Sequence, residues 1–367
     1  METLKGVLVA LLVLVVAGIV PARGEILIAT AGPMSGQYIS SGDQFRWGAE
    51  LAVAGLNERG GVLGEKVRLV IGDDSCDPEQ AVAVARKLVS DGVVFVAGHY
   101  CSGASIPASK VYEDGGVVMI SPGSTNPRLT DEGGANVFRV CGRDDAQGSV
   151  AGAYLADRWG DKKIAILHDQ TAYGEGLAAE TRNELTRRGA REAMYAPYEP
   201  GLIDYSTIAT KLIAAKIDVV YVGGYSTEAA LILRQLHDMG YAAQLVSGDA
   251  IVTDDFWAIA GPAAEGTLFT YFPDARNNPE AADPVAQFRT LGYEPEGNTL
   301  YAYAAVQTWA QAVKKAGSLA LGKVIAALRS NKFETVLGEI AFDEKGDVTT
   351  TSFVWYEWRE GKYVPVK

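Results

Sequence analysis

A chain of 367 residues that is 48% hydrophobic and 21% charged, with 41 glycines and 14 prolines, has material for two domains of ordinary size and is neither disordered nor collagen-like. Its 33 Lys and Arg against 45 Asp and Glu give a formal net charge of -12. That balance repels a phosphate backbone over most of the surface and argues against nucleic acid as a partner.

The amino terminus reads as an export signal, residues 1–22. Met1 to Lys5 carry a single lysine, Val7 to Val20 are apolar apart from Gly18, and the small-residue stretch Pro21-Ala22-Arg23-Gly24 follows. Cleavage after Ala22 or after Gly24 fits, and the run falls short of the ~20 apolar residues that a spanning helix needs; an uncleaved membrane anchor is the alternative. No cysteine adjoins the cleavage site to take a lipid. A soluble periplasmic protein is expected.

Strand-like and helix-like segments then alternate. Ile26 to Thr30 reads as strand, Gln44 to Leu56 as helix with a stop at Asn57-Glu58-Arg59-Gly60-Gly61, Val67 to Ile71 as strand and Pro78 to Val89 as helix. Val93 to Ala97 (strand), Ser102 to Tyr112 (helix) and Val117 to Ile120 (strand) complete a first series. A second runs through Val137 to Val140 (strand), Ala146 to Trp159 (helix), Ile164 to Leu167 (strand), and the helices Gly176 to Arg188 and Tyr205 to Ala215. It ends with Val219 to Val222 (strand), Thr227 to Met239 (helix) and Gln244 to Val246 (strand). Short all-apolar strands between helices predict two doubly wound α/β units with parallel sheets. After Pro273 a polar, Pro-rich connection is expected, then helices over Thr299 to Ala316 and Leu321 to Leu328. A β-rich tail from Gly338 to Val366 follows, with a hairpin about Glu360-Gly361.

The three cysteines, Cys76, Cys101 and Cys141, show no Cys-x-x-Cys spacing, and His99, His168 and His237 are scattered, so no metal site is expected. One disulfide and one odd thiol is the simplest account in an oxidising compartment. Cys76 and Cys101 each follow a strand-like run, and a bridge between them closes a loop of about 26 residues, worth roughly 3.5 kcal/mol in the chain-entropy model. Cys141 is then a small buried hydrophobe.

No nucleophile elbow, phosphate loop or His-Glu-x-x-His is present. The partial match Gly174-Glu-Gly176-Leu-Ala-Ala179 opens a helix, but it lacks a strand directly before it and a convincing acidic partner after it; a helix start packed close to a sheet is the plainer reading. Two loops are more informative. Gly98-His-Tyr-Cys-Ser102-Gly103-Ala104 ends a strand and opens a helix, where backbone N–H groups and the Ser102 hydroxyl suit an anion. Ser121-Pro-Gly123-Ser124-Thr125-Asn126-Pro127 follows the next strand and adds hydroxyls. Each alone is an ordinary cap; together they read as a carboxylate-binding surface with no reaction attached.

These segments resemble the periplasmic binding proteins for branched-chain and related amino acids, the soluble receptors of ABC importers. The likeness is densest in Asp73 to Ala85, Gly98 to Ser102, Tyr112-Glu-Asp, Met119 to Pro127, His168-Asp and Tyr173 to Leu177. It continues in Gly223-Gly-Tyr225, Ile259-Ala-Gly, Ala264-Glu-Gly266, Tyr303 to Gln307 and Asp343 to Asp347. The resemblance implies two lobes, 25–142 with 273–349 and 143–272 with 350–367, joined by three crossovers and closing on a ligand. It implies a carboxylate held by Ser102 and Thr125, an ammonium held by the Gly123 carbonyl, Thr125 and Asp249, and a cleft walled by Tyr173 and Tyr225. Ser41 and Asn298 stand where family members carry aromatic residues, with Tyr38 close to the first.

Tyr100 before Cys101 takes up side-chain space, and Asp249 is one methylene shorter than the usual Glu. A compact or ω-amino acid (alanine, valine, proline, γ-aminobutyrate) is therefore expected over leucine and isoleucine. The resemblance further implies a monomer without cofactor or catalysis, serving an inner-membrane permease. A sensory protein using the same clamp, or an exported oxidoreductase built on the Gly174 loop, are the readings it displaces. Amino-terminal sequencing of the exported protein should begin at Arg23 or Glu25; an intact Met1 in the periplasmic fraction would contradict the cleaved signal.

Overall fold

The computed structural model describes residues 24–350 and 352–366; the predicted signal, 1–22, lies outside them. The first series gives β1 (Ile26–Gly32), α1 (Ile39–Glu58), β2 (Val67–Asp73), α2 (Pro78–Ser90), β3 (Phe95–Gly98), α3 (Ser102–Gly115), β4 (Val118–Ser121), the single turn α4 (Arg128–Asp131) and β5 (Val137–Arg139). Its five strands form one sheet in the order β2-β1-β3-β4-β5, all parallel. β3 and β4 are buried at every position, as strands covered on both faces must be.

The second series gives α5 (Asp144–Trp159), β6 (Ile164–His168), α6 (Ala172–Arg187), β7 (Met194–Pro197), α7 (Ser206–Ala215), β8 (Val219–Gly223), α8 (Ser226–Asp238), β9 (Gln244–Ser247), α9 (Asp254–Ala260) and β10 (Leu268–Tyr271). The chain continues through α10 (Ala282–Thr290), α11 (Thr299–Ala316), α12 (Leu321–Ser330), the small hairpin β11 (Phe333–Thr335) and β12 (Gly338–Ile340), then β13 (Val354–Arg359) and β14 (Lys362–Pro365). The second sheet runs β14-β13-β10-β9-β8-β6-β7. Its β7-β6-β8-β9-β10 part repeats the strand order of the first, and β13 and β14 extend it antiparallel. Both parallel sheets therefore reverse winding direction between the first and third strands of their series, which is where open α/β sheets bind ligands.

Three differences from the sequence reading have physical causes. β7 is a half-buried edge strand of four residues with no β-branched side chain, and it ends at Pro197, so its short run Met194-Tyr195-Ala196 carries little strand signal. The Pro-rich connection contains α10, because Pro284 sits in that helix's first turn, where it costs no hydrogen bond. Helix α6 begins at Ala172, four residues before the expected Gly176, because Thr171 caps it by accepting the Gly174 N–H at 3.0 Å.

The long helix α11 runs against α1 and under β3 and β4. The two helices touch at Gly48, where a Cβ would run into the Thr299 carbonyl, so only glycine permits that approach. Among the described residues no helix is long and apolar enough to cross a membrane. Cys76 and Cys101 form the disulfide, with Cα atoms 5.4 Å apart, and Cys141 is free and buried. Non-reducing peptide mapping should recover Cys76 joined to Cys101, and Cys76→Ser should lower unfolding free energy by about 3 kcal/mol; a Cys141-linked peptide would overturn the pairing.

Candidate functional site

The loops that leave β3 and β4 are fastened to each other by serine hydroxyls. Ser121 Oγ donates to the His99 carbonyl at 2.9 Å and accepts the Ser124 N–H at 2.9 Å. Ser124 Oγ donates to the Tyr100 carbonyl at 2.8 Å and lies 2.5 Å from Ser105 Oγ, while the Asn126 N–H reaches Ser102 Oγ at 3.3 Å. All of these serines are buried. The stitches hold the first turn of α3, whose leading N–H groups have no intrahelical acceptor, beside the second loop. The His99 side chain takes no part at this face. Its ring is fully buried, with Nδ1 2.5 Å from Asp74 and Nε2 2.8 Å from the Tyr112 hydroxyl. A Cβ at Gly123 would come within 3.0 Å of the Tyr100 ring and 3.2 Å of Phe45, so any larger residue would make both rings give by a few tenths of an ångström.

Facing these loops are three segments of the second unit. Tyr173 stands in the first turn of α6, Tyr225 precedes α8, and Asp249 follows β9; the first two lie just beyond the strands that flank the second sheet's switch point. A narrow gap lies between the units, lined by Tyr100, Ser102, Gly123, Tyr173, Tyr225, Asp249 and Ala250. Six of the nine residues singled out in the sequence thus share one wall.

The other three stand behind it. Thr125 is fully buried, with its hydroxyl facing the Asp144 carboxyl but without the geometry of a full hydrogen bond. Ser41 is buried with its hydroxyl facing that of Tyr100. Asn298 accepts the Tyr271 hydroxyl at 3.1 Å and presents its backbone N–H to Gln44 at 2.8 Å. Neither Ser41 nor Asn298 lines the cavity; both brace aromatic rings.

The electrostatics are lopsided. Burial pushes the Asp249 carboxyl up to about 6, against hydrogen bonds from Tyr173, at 2.8 Å, and Gln147 that favour the carboxylate. Asp144, which sequence reasoning missed, is fully buried; burial and then the Asp249 charge hold its carboxyl well above the ordinary range. Both of its oxygens lack a full hydrogen bond. Arg139 is the nearby buried cation, and it is committed to Asp347 at 2.6 Å and to the Ser124 carbonyl at 2.8 Å. The cavity is therefore donor-rich at the α3 end and anionic at the opposite end, a polarity that suits a zwitterion. Among the described residues no cluster of His, Cys, Asp and Glu is arranged to hold a metal. The glycine-rich start of α6 is filled by protein: a Cβ at Gly174 would meet the Gly223 carbonyl and Asp169, which leaves no cradle for a pyrophosphate.

A profile of the periplasmic binding protein family matches residues 25–362. The Leu/Ile/Val-binding protein homolog 1 of Brucella suis is 48% identical over 341 residues, covering 93% of this chain and 92% of that protein. An amino acid binding protein of Pseudomonas aeruginosa is 43% identical over 364 residues, with 98% and 97% covered. Among solved structures, the leucine-binding protein LivK of Thermotoga maritima superposes with a TM-score of 0.86 at 27% identity, covering 93% of this chain and 98% of that one. LivJ of Streptococcus pneumoniae, in complex with isoleucine, gives 0.84 at 25% identity, with the same shares covered. The chain belongs to the periplasmic binding protein family, among the relatives of the Leu/Ile/Val-binding proteins.

Proposed function

We propose that the protein is the periplasmic receptor of an ABC importer and binds one compact or ω-amino acid between two lobes, 25–142 with 273–349 and 143–272 with 350–367. The observation that carries this reading is the gap between the units, with a helix amino terminus on one side and a buried carboxylate on the other. The ligand carboxylate lies against Ser102 and the first turn of α3, and its ammonium against the Gly123 carbonyl and Asp249. Thr125, expected from the sequence to touch both groups, stands behind them beside Asp144 and would reach the ligand only by turning its hydroxyl. Tyr100, Tyr173 and Tyr225 pack the remaining carbons. Binding is the whole activity; the chain is monomeric, takes no cofactor, reaches the periplasm by losing its signal, and delivers its ligand to an inner-membrane permease.

The lining supports the compact ligand: the rings of Tyr100, Tyr173 and Tyr225 crowd the gap and leave little room for a side chain. Alanine has six non-hydrogen atoms, γ-aminobutyrate seven, valine and proline eight, and leucine nine.

Calorimetry with competing amino acids tests the assignment. Alanine, valine, proline or γ-aminobutyrate should outbind leucine, by about 1–3 kcal/mol for each methylene that does not fit. Leucine displacing all four would reject the small pocket, and silence across the panel would reject the receptor. Ser102→Ala and Thr125→Ala should each weaken binding roughly ten- to hundredfold, and Asp249→Asn by on the order of 2–5 kcal/mol, with ligand-free unfolding unchanged.

Affinity should also depend on pH. The carboxylate form of Asp249 holds the ammonium, so affinity is full above about 6 and falls as the pH drops through that value. Asp249→Asn should flatten this fall; a wild-type affinity constant from pH 5 to pH 8 would remove Asp249 from the ammonium site.

A further inference from the structure

Outside the cavity, the residues that join the two lobes converge on one carboxylate. Glu228, in the first turn of α8, is 1% exposed. Its Oε1 accepts the Gln37 side-chain amide at 2.8 Å and the Tyr38 hydroxyl at 3.0 Å, both from the chain leading into α1, and the Gly201 N–H at 3.0 Å from its own lobe. The adjoining Thr227 hydroxyl reaches the Gln37 carbonyl at 3.4 Å, and Ser40 donates to Asp255 of α9. Residues 37–40 of the first lobe are thus gripped by side chains of the second.

This grip bears on the path out of the cavity. The Tyr38 ring lies 4.7 Å from that of Tyr225, a residue that lines the cavity. On the far side of the pair is an open groove of about 580 Å³ lined by Gln37, Tyr38, Cys101, Thr171, Gly201 and Tyr225, among others. The two tyrosines therefore stand between the gap and the outside. Glu228 also has a second buried carboxylate for a neighbour: Asp169, 1% exposed, is raised to about 6, chiefly by burial, with the Glu228 charge contributing. Without the donors from residues 37 and 38, two negative groups would share this pocket against each other.

We propose that Glu228 sets the residence time of the ligand by holding Gln37 and Tyr38, and so the Tyr38–Tyr225 pair, shut across the mouth of the cavity. The proposal rests on the receptor reading, but Glu228 touches no part of the ligand volume. It is a positioning residue that acts on release.

A double-mutant cycle read by stopped-flow dissociation tests it, with the amino acid that wild type binds in calorimetry as probe. Tyr38→Phe deletes one hydrogen bond to a charged acceptor and should speed dissociation about tenfold, with the association rate little changed. Glu228→Ala should speed it at least as much, Glu228→Gln should fall between, and Tyr38→Phe combined with Glu228→Ala should be no faster than Glu228→Ala alone. Because the Tyr38 contact crosses the cleft, the ligand-free unfolding midpoint of Tyr38→Phe should match wild type, whereas Glu228→Ala also loses the Gly201 bond within its own lobe.

An unchanged dissociation rate, additive single effects, or a lowered ligand-free midpoint of Tyr38→Phe would overturn the latch. If wild type binds no amino acid, the receptor reading fails. The latch, which rests on that reading, then falls with it, whereas unchanged dissociation in a chain that does bind overturns the latch alone.

Discussion

Two carboxyl groups are buried here without a cation of their own. Asp249 lines the gap between the units and Asp144 lies beside Thr125, while the guanidinium of Arg139 is spent on Asp347. A carboxylate removed from water without a partner is costly enough that it either takes up a proton or waits for a cation. Burial accordingly holds both carboxyls above the ordinary range, and a cation brought to Asp249 would favour its ionised form.

The donor side is built on the opposite plan, with nothing left to rearrange. Ser102, Ser105, Ser121 and Ser124 fix two loops to one another through bonds internal to one sheet's edge, so the turn of α3 is preset for an anion. The two sheets share one strand order, and each brings its loops from the carboxyl ends of neighbouring parallel strands to the same gap. One wall is rigid and anion-seeking while the other carries the charge that must be satisfied.

How much of this was legible in the sequence follows from the range of each interaction. Ser102 and Gly123 sit directly after apolar strands, so local pattern alone suggested an anion site, and the helix capped by Thr171 was misplaced by only one turn. Asp144 and Glu228 gave no such sign. Each is an acidic residue in the first turn of a helix, where surface helices carry them as a matter of course, and only the fold reveals that they are buried. Ser41 and Asn298 looked like wall residues by alignment with relatives. Their side chains instead brace Tyr100 and Tyr271 from behind, a relation set by packing across the chain that no local pattern encodes. Helix α10 was hidden because Pro284 imitates a loop signal when it occupies a first turn.

The odd thiol has a chemical consequence of its own. Cys141 is sealed in the core, and burial drives its titration far above that of an ordinary cysteine. Sulfur attacks sulfur as the thiolate, and a group that does not ionise at ambient pH is a poor nucleophile even when a disulfide is close at hand. Once folded, the chain therefore carries an unpaired cysteine through an oxidising compartment without scrambling its bridge, without capture as a mixed disulfide with small thiols, and without joining a second chain through sulfur.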